Sequence, residues 1–285
     1  MLLPTLEMYL ALGALRLRGA SLRATGELGE ALARLERGWA AGVGDLDTRN
    51  DAVNLLVSAG AYQAALRAEP PAQPPRAAHD ALELALIQVN LAEAEYNLGR
   101  WADAEARLFE LDEACAAFPI TRAGLLQQRA WILAHTGRAE AALALCERVR
   151  ITWLPLHYHA EHHFTRAAAL LGLGQLDDAE AATRSGSAAA RRTASQRNAT
   201  ILLARVAAAR ADWPLVERRC RAAAEHPFRG QGGDGLLLWG DALRELGREN
   251  DARAAWKLCV DRDPESESAR HAAEHLASTP AFRRR

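Results

Sequence analysis

The chain is 285 residues long and 49% hydrophobic but only 6% aromatic, so small aliphatic side chains, chiefly Ala and Leu, must build its core. Ala and Leu lose little on entering a helix, and β-branched runs are almost absent (Thr200-Ile201 is among the longest), which excludes an appreciable sheet. A formal net charge of -1 gives no reason to expect nucleic acid or an anionic membrane as partner, and no stretch reaches the roughly 18–20 apolar residues needed to cross a bilayer.

Taken along the chain, the start from Met1 to Glu7 lacks a basic segment and carries a glutamate in its short apolar run, so no secretory signal is expected. A helix-ending small residue then recurs at Gly26, Gly60, Gly99, Gly137, Gly174, Ala211 and Gly247, at intervals of 34 to 39 residues. The second helix after Gly60 must stop early, because Glu69 is followed by Pro70, Pro71, Pro74 and Pro75; residues 69–77 are a candidate hinge. Ser185-Gly186-Ser187 and Gly230-Gln231-Gly232-Gly233 read as loops. Beyond Pro264, residues 266–277 read as a solvating cap helix, and Arg283 to Arg285 as a frayed basic end. The whole of 1–285 reads as one repeat domain.

Other columns align on these turns. Five residues after each stand Ala31, Ala65, Ala104, Ala142, Ala179, Val216 and Ala252; seven before stand Gly19, Val53, Ala92, Ala130, Ala167, Ala204 and Gly240. Small residues on two facing helices let the helices cross closely. Two residues past each turn a larger side chain usually plugs the crossing, as Leu28, Tyr62, Trp101, Leu176 and Trp213 do; Ala139 and Glu249 depart from this. Glycine supplies the left-handed conformation that ends the first helix of each pair, and Ala211 departs from it. Neither helix alone can bury its apolar stripe, so the pairs must stack.

This pattern resembles the tetratricopeptide repeat, best in Leu91-Ala92-Glu93-Ala94-Glu95-Tyr96-Asn97-Leu98-Gly99-Arg100-Trp101-Ala102-Asp103-Ala104 and in Leu243-Arg244-Glu245-Leu246-Gly247-Arg248-Glu249-Asn250-Asp251-Ala252. It covers roughly residues 12 to 264. The resemblance implies an all-α, right-handed superhelical solenoid of about seven helix-turn-helix repeats plus a C-terminal cap. It also implies a concave groove lined by the first helix of each pair.

Helical spacing then selects the groove stripe. It contains Asn50, Asn54, Asn90, Glu93, Tyr96, Asn97, Gln127, Gln128, Trp131 and His135, and further on Phe164 and Arg205. A side-chain amide carries donors and an acceptor, so a row of them can pair with an extended backbone. This resembles the asparagine ladders with which some members of the family grip peptides; the alternative is that these residues simply solvate a helix face. The later stripe, with Phe164, Thr165, Ala168, Leu171, Ile201 and Leu202, is either an apolar patch or core. Arg16 and Arg23 could hold a carboxylate. Lysine is absent from the stripe, unlike in members that clamp a peptide C-terminus.

Signs of chemistry are few. His159 and His163 are spaced to share a metal, but with His157 and His162 nearby no further donor is clearly supplied, so no metal and no cofactor is expected. Cys115, Cys146, Cys220 and Cys259 show no metal spacing and read as buried thiols of a cytoplasmic protein. No nucleophile elbow or phosphate loop is present. The expectation is a non-enzymatic scaffold or adaptor that binds a protein or extended peptide. The alternatives are a ligand- or peptide-sensing module that acts with a separate effector and, third, an enzyme or metal-binding protein.

Overall fold

A computed structural model describes residues 2–24, 27–71, 77–154, 156–190, 193–225 and 233–278. Gly26, most of the 69–77 segment, Gly230 to Gly232 and the Arg283–Arg285 end lie outside them, as do the side chains of Arg23 and His157. The described residues form fifteen α-helices, three short 3-10 turns and no strand.

The chain divides into two compact units, Met1–Thr121 and Arg122–Arg285. The first carries α1 (Leu2–Ala24), α2 (Leu28–Ala40), α3 (Leu46–Ser58), α4 (Tyr62–Arg67), α5 (Ala78–Asn97) and α6 (Trp101–Ala114). The second carries nearly all of α7 (Pro119–His135), then α8 (Ala139–Arg148), α9 (His159–Gly172), α10 (Leu176–Ala189) and α11 (Thr193–Ala209). It continues through α12 (Trp213–Glu225), α13 (Gly233–Glu245), α14 (Glu249–Arg262) and α15 (Glu267–Ser278).

Within the first unit α1 packs on α2, α3 on α4 and α5 on α6, while α1, α3 and α5 lie side by side. Within the second, α9, α11 and α13 pack on α10, α12 and α14, and α9, α11, α13 and α15 form a neighbouring series. Second helices also touch the first helix that follows, as α4 touches α5, α10 touches α11 and α12 touches α13. Each unit is therefore an all-α stack of helix pairs in two layers, the solenoid architecture expected from the repeat. No described helix is long and apolar enough to cross a membrane.

One motif closes every described turn. Gly60, Gly99, Gly137, Gly174 and Gly247 have φ between 72 and 78°. The amide after the glycine donates to the carbonyl five residues back: Ala61 to Leu56 at 2.9 Å, Arg100 to Glu95 at 2.9 Å, Gln175 to Leu170 at 3.0 Å, Arg248 to Leu243 at 2.9 Å. That bond, with the glycine amide donating three residues back, consumes carbonyls the helix end leaves unmet. Ala211 builds the same turn at φ 57°, with Asp212 N–H donating to Ala207 O at 3.0 Å. An L-residue there costs roughly 1–2 kcal/mol, against roughly 0.5–1 kcal/mol of extra chain entropy for glycine. Ala211→Gly should therefore stabilise the second unit by about 0.5–1 kcal/mol, measured as a higher urea midpoint at unchanged slope.

The small columns are interior. Ala65, Ala104, Ala142, Ala179, Val216 and Ala252 are fully buried, as are Val53, Ala92, Ala130 and Ala204 across from them. Helix α4 has only six residues and ends at Arg67, just before the prolines. Its end is held from outside: Arg49 Nη1 donates to Ala68 O at 3.1 Å while its guanidinium lies over the Trp39 ring at 4.7 Å.

One loop expectation is corrected. Ser185, Gly186 and Ser187 lie inside α10, because Gly186 serves packing and not a turn: a Cβ there would stand 2.7 Å or less from the Phe164 ring of α9. Gly233 opens α13, and a Cβ on it would meet Ser266 Oγ at 2.9 Å, so this glycine also marks a close approach. The last helix, α15, starts on Ser266, whose Oγ accepts from the Ala269 amide at 3.1 Å.

Candidate partner-binding surface

In the first unit the stripe runs over α3 and α5. Asn54 is exposed; Asn50, Asn90, Glu93, Tyr96 and Asn97 are half-buried. The amides of successive first helices pair with one another. Asn90 Nδ2 donates to Asn50 Oδ1 at 2.9 Å, and Asn50 Nδ2 donates to Glu83 Oε2 at 2.9 Å. Asn97 turns back onto its own helix, donating to Glu93 O at 2.7 Å. The Tyr96 ring stacks on Trp101 with centroids 5.6 Å apart. Arg16 does hold a carboxylate, that of Asp51 at 2.7 Å.

In the second unit two stripe residues prove to be interior. Phe164 is fully buried in the α9–α10 crossing that Gly186 opens. Gln127 is buried too, its Nε2 donating to Glu161 O at 2.8 Å and to Thr165 Oγ1, while His162 Nδ1 donates to its Oε1 at 3.1 Å. Helical phase selects both for the stripe, but α10 closes over Phe164 at Gly186 and α9 supplies the polar partners that cover Gln127. Thr165, Ala168, Ile201 and Leu202 are buried as well.

Trp131, Gln128, His135 and Arg205 are half-buried. The Trp131 and His135 rings lie 4.1 Å apart. His135 Nδ1 donates to Trp131 O at 2.9 Å, leaving Nε2 to accept from Arg205 Nη1 at 3.0 Å. Arg205 Nη2 donates to Asp234 Oδ2 at 3.0 Å. One polar chain thus links α7, α11 and α13. Burial, then the charge of Arg205, pushes His135 down to about 4, so it is a neutral acceptor that aims the guanidinium. Gln128 Oε1 is buried without a hydrogen-bond partner.

No family model matches the chain, and no curated protein does. Among solved structures, the chain is similar to the crystal structure of PilW, a widely conserved type IV pilus biogenesis factor. The identity is 17% and the TM-score 0.48, over 80% of this chain and 98% of that one. It is also similar to the apo form of RapI, at 9% identity and TM-score 0.43, over 96% of this chain and 80% of that one. Likeness at this level says nothing about activity, and the fold assignment rests on the helix pairs themselves.

The described histidines of the cluster turn to separate partners. His159 Nε2 bonds to Leu154 O at 3.1 Å, and His162 is turned to Gln127. Burial, followed by the charges of His163, Arg166 and His159, pushes His162 down to about 4. All four cysteines are buried free thiols, and burial pushes Cys146 up to about 11 and Cys220 and Cys259 up to about 12. The sequence stripe missed Asp234, the anchor of Arg205, and Glu83, the acceptor for Asn50. Both lie on first helices nearer their start than the stripe extends, so only the neighbouring helix reveals their role.

Proposed function

We propose that the protein is a non-enzymatic scaffold or adaptor that binds a segment of a partner protein, an extended peptide, on the first-helix face. The observation that carries this is on α7: Trp131, a half-buried indole on the first-helix stripe, keeps part of its surface open beside the His135 ring 4.1 Å away. Aromatic anchors dominate most protein interfaces. His135 and Arg205 supply polar specificity around this anchor, and in the first unit Asn54 and Asn97 offer amides on its own first-helix face; in the tetratricopeptide repeat, which the sequence resembles, the first helices line the binding groove.

The test is a peptide library screened for binding, with any hit titrated against Trp131→Ala, Gln128→Ala and Asn54→Ala. Trp131→Ala should weaken binding by about 30-fold, corresponding to roughly 2 kcal/mol. The amide variants should lose only about 2- to 10-fold, since their bonds replace bonds to water. Unchanged affinity in all three variants, with helicity intact, would sink this site.

A further inference from the structure

We propose that Asp47, His79 and Glu83 form a binding site for a divalent transition-metal cation of the zinc type, joining α3 to α5. Their donor atoms all lie within 4.8 Å of one another, a convergence found at this one place among the described residues. His79 and Glu83 are four residues apart and so share one face of the first turns of α5, while Asp47 comes from the first turn of α3. The His79 ring nitrogen Nε2 stands 2.9 Å from Asp47 Oδ1. Tetrahedral ligands at about 2.0–2.2 Å from zinc are themselves about 3.3 Å apart, so a cation can take the place of the shared proton with small side-chain movements.

The donor chemistry is selective. One imidazole and two carboxylates from separate helices suit zinc or a neighbouring transition ion better than calcium or magnesium, which prefer oxygen alone. Three protein donors leave coordination positions for water or for a group from outside. Support extends behind the donors: Glu83 Oε2 accepts from Asn50 Nδ2 at 2.9 Å, and Asn50 Oδ1 accepts from Asn90 Nδ2 at 2.9 Å. Metal-binding carboxylates are characteristically oriented by such outer bonds. Asn50 and Asn90, chosen in the sequence as peptide ligands, then hold a metal ligand in place. A cation would also fasten the first turns of α5, which follow the proline-rich connection, to α3.

The experiment is calorimetric titration of zinc chloride into the full chain in a buffer that does not chelate, with melting followed in parallel. Wild type should bind one zinc ion in this site and melt at a higher temperature with zinc. His79→Ala and Glu83→Gln should each lower affinity at least tenfold and abolish the zinc-dependent shift, and Asn50→Ala should lower affinity about tenfold through loss of orientation. His79 is more than half exposed and Glu83→Gln keeps the side chain's shape, so these two variants should keep wild-type helicity. A His159→Ala, His163→Ala double variant should bind as wild type does. No zinc binding by wild type, equal affinity in His79→Ala and Glu83→Gln, or loss in the His159, His163 variant would each overturn the proposal.

Discussion

Arg107→Ala should destabilise the first unit by about 3 kcal/mol, the size expected when one partner of a buried ion pair is removed. Arg107 on α6 donates from Nη2 to Glu95 Oε1 at 2.7 Å and from Nε to Glu95 Oε2 at 3.0 Å. Its Nη1 donates to Glu69 Oε1 at 2.7 Å and also to Gln88 Oε1. The side chains of Arg107 and Glu95 are 19% and 8% exposed, so water could not replace the lost cation around Glu95. The variant would therefore bury an uncompensated carboxylate. Arg107 also ties the end of the shortened α4, through Glu69, to α5 and α6. Burial pushes the Glu69 carboxyl up, but hydrogen bonds from Arg107 and Gln88 hold it below its ordinary 4.5. That contribution is fully present above 4.5 and is lost as pH falls through the lowered folded value. Urea unfolding checks the magnitude, and Glu95→Ala added to Arg107→Ala should recover part of the loss, because the stranded charge goes too. A loss under 1 kcal/mol in Arg107→Ala would show that the network is solvent-relaxed.

Gly240→Ala should cost the second unit about 3 kcal/mol, at the upper end for overpacking. The added Cβ would stand 2.8 Å from Trp256 Cε2 and nearer still to Nε1 and Cδ1. Trp256 cannot swing away: it is fully buried, its ring stacks on His275 at 4.8 Å, and the Arg244 guanidinium lies 5.4 Å from its centroid. Backbone of α13 must move instead. In a stack of repeats the damage should stay near α13, α14 and α15, read as faster amide exchange there and unchanged exchange in α9 and α10. Gly13 of α1 gives the contrast, since a Cβ there meets nothing within 4 Å. Gly13→Ala should be neutral or stabilising by up to about 1 kcal/mol, from helix propensity alone. If Gly240→Ala were as harmless as Gly13→Ala, the close α13–α14 crossing would be wrong.

The sequence by itself determined the helix pairs, their turns and the faces that meet within a pair. Each of these depends on a local rule: a left-handed residue at Gly99 or Gly174, and a small residue where two helices of one hairpin cross, as at Ala92 and Ala104. Such constraints recur at every repeat, so misreading one position does not spoil the rest. Even the departure at Ala211 could be read, because its neighbours in the column fixed what the backbone there must do.

Tertiary structure alone decided which parts of the first-helix face are open. Helical periodicity gives the direction of a side chain but not the distance to the next helix. Phe164 and Trp131 fall on the same stripe, yet Phe164 is core because Gly186 lets α10 close over it, while Trp131 stays half-buried beside His135. The same limit hid the pairings that join distant positions. His135 meets Arg205 70 residues away, and Asp47 meets His79 32 residues away. Nothing local at either residue records its partner, because each pairing is set by the stacking of one helix pair on another.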